Sequence, residues 1–159
     1  MMSPVRLIAA LGLALAPVAG CGPISAKPAV EKVARVPLDI RTAKGVLHFQ
    51  VEVARTEPEQ ERGLMYRTSL PERGGMIFPM DPPRWASFWM KNTLIPLDLI
   101  FIRADGHIAR IAANAVPESL ATIESGEPVA AVLEIVGGGA AAAGIEAGDV
   151  VHWTGAPAR

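Results

Sequence analysis

Leu47-His48-Phe49-Gln50-Val51-Glu52-Val53 places an apolar side chain at every second position, with polar residues between them. Side chains alternate across a pleated strand, so this period of two predicts a β-strand with one buried face. Leu38-Asp39-Ile40-Arg41 alternates in the same way just upstream, and Ala43-Lys44-Gly45 can turn between the two, which predicts a first hairpin. Downstream, Gly75-Met76-Ile77-Phe78 predicts a short buried strand, and Asp81-Pro82-Pro83 a loop. Ala86-Ser87-Phe88-Trp89-Met90 predicts another strand, ending at Asn92-Thr93. Leu99-Ile100-Phe101-Ile102 has no polar position and belongs at the centre of a sheet. Asp105-Gly106 is a tight-turn pair, after which Ile108 and Ile111 continue a returning strand; Val132-Leu133-Glu134-Ile135-Val136 and Val150-Val151-His152-Trp153 follow.

Helices are few. Thr56-Glu57-Pro58-Glu59 has a capping residue, an acid three positions on and a proline in the first turn, predicting a helix to about Tyr66. Gly139 to Ala143 can form one or two further turns, stopped by Gly144. The tally of about seven or eight strands and two short helices predicts a β-rich α+β fold. Antiparallel pairing in a barrel or sandwich-like sheet is expected, as a single domain over residues 37–154 with a tail at 155–159.

The N-terminal segment is of another kind. Arg6 precedes an uncharged apolar run from Leu7 to Val18, followed by Ala19-Gly20-Cys21. A basic start, a short apolar stretch and small residues form a secretory signal, here residues 1–20. The run is too short for the roughly 20 residues of a spanning helix. Cys21, the only cysteine, resembles the lipid-attachment residue of a bacterial lipobox, although Val18 stands where leucine is more usual. An ordinary signal cut near Ile24-Ser25-Ala26, with Cys21 incidental, is the plainer alternative. The lipobox resemblance implies a protein held on a membrane by acyl chains at Cys21. Gly22 in place of Asp implies sorting to the outer membrane, facing the periplasm. Residues 21–36, with Pro23 and Pro28, read as a tether.

Removal of residues 1–20 leaves one domain's length of chain, with no internal disulfide open to it. It also leaves 14 basic against 16 acidic residues and no cationic run. Nucleic acid is not an expected partner, because that binding depends on clustered cations meeting phosphates.

His48, His107 and His152 show no zinc-type spacing and read as exposed strand or turn polars. Neither a Gly-x-Ser-x-Gly elbow nor a phosphate loop occurs. Gly137-Gly138-Gly139 could offer amides to an anion but reads better as a close-packing device. Met65, Met76, Met80 and Met90 fall near two tryptophans; thioethers suit Cu(I), though methionine is equally an ordinary core filler. No cofactor is expected. Asp98 and Glu134 are the acids most embedded in apolar sequence, and burial of a carboxylate demands a partner. Arg62 and Arg67 are the arginines best suited to that role. Two acids held about 5–9 Å apart could hydrolyse a glycoside; a structural ion pair is the blander account.

Arg62-Gly63-Leu64-Met65-Tyr66-Arg67, Phe88-Trp89-Met90-Lys91-Asn92-Thr93 and Ile95-Pro96-Leu97-Asp98 together resemble the prokaryotic family called domain of unknown function 192. Gly75 to Phe78, Val132-Leu133-Glu134 and Gly144 to Asp149 extend the resemblance over about residues 36–151. It implies a compact β-rich domain, often exported, and no established reaction. From the residues themselves, Arg62, Arg67, Trp89, Met90, Asn92, Thr93, Asp98 and Glu134 could frame a polar-rimmed pocket for a small organic ligand; fixing a chain crossing is the structural counterpart. The expected function is thus a non-catalytic envelope lipoprotein binding a small ligand or a partner protein. A hydrolase or transferase acting on an envelope saccharide or peptide through Asp98 and Glu134 is the first alternative, and Cu(I) handling by the methionines the second.

Overall fold

The computed structural model describes residues 34–155. The expectations for the signal, for Cys21, for most of the tether and for the tail beyond Gly155 lie outside them. The chain runs β1 (Arg35–Thr42), β2 (Gly45–Val53), α1 (Glu57–Arg62), β3 (Gly74–Arg84), β4 (Ser87–Phe88), β5 (Leu97–Ile102), β6 (Ile108–Ala115), β7 (Ile123–Glu124), β8 (Val129–Val136), α2 (Gly139–Ala143) and β9 (Val150–Trp153). The domain is β-rich with two short helices, as the sequence implies. Its first strand takes in Arg35 and Val36, the last residues assigned to the tether.

Seven strands form one sheet in the order β6-β5-β8-β3-β2-β1-β9, and β4 pairs with β7 alone. The first hairpin forms as expected, with Leu38 opposite Phe49 and Ile40 opposite Leu47. Of the expected barrel or sandwich-like sheet, the sandwich is the form taken, with one exception to its antiparallel pairing. Pairing is not wholly antiparallel: β3 runs parallel to β2, because α1 carries the chain back to the same end of the sheet. Nor does the sheet close into a barrel. Its edges, β6 and β9, meet only around the single bridge between His107 and Val150, leaving an open sandwich.

Two apolar clusters lie on opposite faces. Leu38, Ile40, Phe49, Val51, Ile77, Ile100, Ile102, Leu133, Ile135 and Trp153 belong to the first. Leu64, Met76, Phe78, Met80, Met90, Leu97, Leu99, Phe101 and Val132 belong to the second. β3, β5 and β8 therefore send alternate side chains into separate cores and are covered on both sides. At Gly75 on β3 the neighbouring strand β8 comes so close that a Cβ would stand 2.2 Å from the Glu134 carbonyl.

Local departures have local causes. α1 carries the full capping box, with Thr56 accepting from the Glu59 amide and Glu59 from the Thr56 amide, but it stops at Arg62 rather than near Tyr66. Gly63 ends it at a positive φ, where a Cβ would stand 3.3 Å from the Phe78 ring. Asp81-Pro82-Pro83 lies inside β3, as an unpaired bulge between Pro79 and Arg84, where prolines with no N–H to give are tolerated. Of Ala86–Met90 only Ser87 and Phe88 pair, because the Met90 amide turns away to the Ser119 carbonyl.

Candidate functional site

The parity of β8 decides the site. Ala131, Leu133 and Ile135 point into the first core, so Val132 and Glu134 point to the other face. Glu134 stands between Met76 of β3 and Leu99 of β5 and is only 5% exposed. Its side chain reaches the floor of a pocket of about 380 Å³. Phe78, Phe88, Met65 and Met80 supply apolar walls; Trp85 and Trp89 stand at the mouth with Arg62, Arg84, Glu57 and Glu61. The Phe78 and Phe88 rings meet edge to face, with centroids 5.2 Å apart. The two tryptophans are 63% and 48% exposed, respectively.

Burial without a compensating charge pushes the Glu134 carboxyl up to about 8. Near neutral pH it is therefore mostly an uncharged acid, able to donate a hydrogen bond. Of the two arginines expected to neutralise it, Arg67 is engaged elsewhere. Arg67 grips Glu52 of β2 with both nitrogens, at 2.7 and 2.5 Å, and this hydrogen-bonded pair raises the Arg67 pKa. Glu52 is itself 5% exposed and lies across Met76 from Glu134. The alternation of β2 had placed it with the solvated polars; it is instead a buried acid on the second face.

Asp98 takes a different path. Its neighbours Ile100 and Ile102 point into the first core, so it lies on the face opposite Glu134, although it sits beside Ile135, the residue next to Glu134. It is fully buried, and its oxygens accept amides of Asn114 at 2.8 Å, Gly138 at 2.9 Å and Ala140 at 2.9 Å. Asp98 therefore clamps the Gly137–Ala140 turn onto β5. The glycine run does hold an anion, but an internal one. Gly137 also packs tightly, since a Cβ there would meet Pro96 at 2.8 Å. The sheet keeps Asp98 and Glu134 from sharing a pocket.

The Trp89–Thr93 segment is a knot of loop contacts. The Asn92 carbonyl accepts from the Tyr66 amide at 2.8 Å, and its side chain donates to the Met65 sulfur at 3.7 Å. The Thr93 carbonyl accepts from the Glu118 amide at 3.0 Å. Tyr66, Asn92 and Glu118 all have positive φ, between 56° and 62°, a conformation unusual for residues with a Cβ and most costly for a bulky one. Of the residues singled out from sequence, Arg62, Trp89, Thr93 and Glu134 line the pocket together. Arg67, Met90, Asn92 and Asp98 do not: Met90 is buried in the second core and Asn92 shapes the turn. Phe78, Arg84, Trp85 and Phe88 were missed as site residues; the clustering of aromatics from Phe78 to Trp89 was the available signal.

Met76, Met80 and Met90 pack in the second core, and only Met65 and Met80 line the pocket. Among the described residues no group of three or more histidine, cysteine or acidic side chains is placed to hold a metal. His48 contacts Asp39 at 2.8 Å on the exposed face of the hairpin, and His107 joins Asp105 at the tight turn.

The family model for domain of unknown function 192, described as an uncharacterised ACR, matches residues 39–153. No curated protein matches the chain. A protein of unknown function from Novosphingobium aromaticivorans DSM 12444 superposes with a TM-score of 0.76 at 47% identity, covering 79% of this chain and 89% of that one. A protein from Sinorhizobium meliloti 1021, described as a candidate transcription regulator, superposes with a TM-score of 0.74 at 41% identity, covering 76% and 95%.

Proposed function

The chain belongs to the domain of unknown function 192 family, and on that premise we propose that it is an exported, lipid-anchored binding protein of the bacterial envelope that holds a small organic ligand beneath Trp85 and Trp89. The observation that carries the binding role is Glu134: a buried acid with no ion-pair partner among the described residues, on the floor of an open pocket. Its neutral carboxyl can donate to a carbonyl, ether or hydroxyl oxygen of the ligand, in a low-dielectric setting where one such bond fixes orientation. The aromatic walls supply the apolar contact, and Arg62 and Arg84 at the rim form no ion pair among the described residues. Two-carboxylate hydrolysis has no support from this geometry, because Asp98 faces away. Export and anchoring are supported by the signal-like start and by Cys21. A nucleic-acid role is not part of the proposal, since the chain carries a net charge of −1 and no cationic run.

The test is titration of the ¹⁵N-labelled protein with small amide, sugar and ether fragments, followed through the indole resonances of Trp85 and Trp89. Fragments carrying an acceptor should bind at pH 6–7 and release as Glu134 ionises above pH 8. Glu134→Gln, which keeps a donor, should retain binding through that range, and Glu134→Ala should lose about tenfold. Equal binding by wild type and Glu134→Ala would remove the pocket reading. Anchoring is tested by intact mass of the protein extracted from membranes: fatty acyl chains should be present at Cys21 and absent from Cys21→Ser, and an unmodified full-length chain would remove the lipid anchor.

A further inference from the structure

Seven large apolar residues are exposed among the described residues, and six of them stand on one cluster of loops: Tyr66, Trp85, Trp89, Leu94, Val116 and Leu120. Hydrogen bonds already described tie these loops together, Tyr66 to Asn92 and Glu118 to Thr93, and the Met90 amide adds a bond to the Ser119 carbonyl. Tyr66, Asn92 and Glu118 in these loops have left-handed backbone. A folded chain seldom keeps so much apolar surface on one patch unless something covers it.

We propose that this loop cluster seats on a lipid surface, inserting its aromatic and leucine tips at the headgroup boundary. The chain's own course argues for that occupant. β1 begins at Arg35, whose guanidinium lies 3.9 Å from Glu52, and Glu52 is held by Arg67, the neighbour of Tyr66. The first described strand is therefore linked through Glu52 to the loop that carries Tyr66. If Cys21 is acylated, the twelve residues from there to the described fold reach at most about 40 Å, so the domain works within roughly one domain width of a bilayer. Tryptophan and tyrosine are the residues that sit at such boundaries, with an apolar body and a wet polar tip. The Lys91 ammonium lies 5.0 Å from the Trp89 ring centre, placed to reach headgroups while its stem stays on the apolar surface. Amides of Tyr66, Met90, Thr93, Glu118, Ser119 and Ala121 already have partners, so approach to lipid strands few backbone donors. The proposal rests on the envelope location and not on the pocket.

The chain holds three tryptophans, two in the patch and Trp153 buried at 4% exposure, so emission reports on the patch itself. The full chain carrying Cys21→Ser, which cannot be acylated, is mixed with phosphatidylethanolamine–phosphatidylglycerol vesicles with and without brominated acyl chains. Brominated vesicles should remove about half of the emission, because two tryptophans of three would lie at bromine depth. Leu94→Ser with Leu120→Ser, both exposed and outside the pocket lining, should weaken vesicle partition about tenfold without changing the unfolding midpoint. Glu134→Ala should leave quenching unchanged even if it abolishes fragment binding, which separates failure of the pocket from failure of the patch. Sedimentation with vesicles but no bromine quenching would mean that the N-terminal apolar run alone holds the protein, and would overturn the proposal. So would full quenching in the double leucine variant.

Discussion

Glu134 links the fold to pH. In the unfolded chain its carboxyl titrates near 4.5, and in the folded protein near 8. Between those values the native state holds a proton that the unfolded state has released, so stability is highest below pH 4.5 from this group, falls as pH rises toward 8 and is level above it. The loss is on the order of a few kcal/mol. Chemical denaturation at several pH values should show that decline, and Glu134→Gln should flatten it; an unchanged slope in the variant would mean that other groups set it. Asp98 is an acceptor that three amides need. Asp98→Ala leaves those donors buried and unpaired and should cost about 3–5 kcal/mol in urea unfolding, against little effect on fragment binding at Glu134. Apolar neighbours in sequence flagged both acids as buried. They did not reveal the face each acid takes, because β5 and β8 are covered on both sides and apolar residues occur at both parities. Nor did they reveal Glu52 as the partner of Arg67, since a strand that alternates cleanly looks solvated at every second position.

Elements governed by neighbouring residues were legible. The capping box of α1 was visible in Thr56 to Glu59 and is formed, and Thr56→Ala should lower stability by about 1 kcal/mol, read as a shift of the denaturant midpoint at constant slope. The same holds for the first hairpin, for the Asp105-Gly106 turn and for α2, which Gly144 ends at a φ of 70°. Elements governed by distant residues were not. α1 ends at Gly63, where the positive φ and the Phe78 ring brought in by β3, 3.3 Å from where a Cβ would stand, call for glycine. The strand expected at Ala86–Met90 shrinks to two residues because Ser119 captures the Met90 amide. β3 extends through a proline pair because β8 pairs on both sides of the bulge.

For the whole molecule, the sheet order joins the ends of the chain to its middle. β9 closes one edge of the sheet against β1, and β8 pairs with both β3 and β5, so no strand group can open alone without exposing one of the two cores. A fragment of residues 34–155 should therefore unfold in a single transition, coincident by near- and far-ultraviolet circular dichroism, at the midpoint of the longer chain; separated transitions would show that the two cores melt independently. Local patterning by itself determined the β-rich class, the two short helices, the turn positions and the two buried acids, because periodicity, capping and turn chemistry act over a few residues. The tertiary structure alone decided the parallel β2–β3 pairing, the open edges, the separation of Asp98 from Glu134 and the pocket, because each depends on which face a doubly covered strand gives to which neighbour, and that is fixed by contacts between residues far apart in the chain.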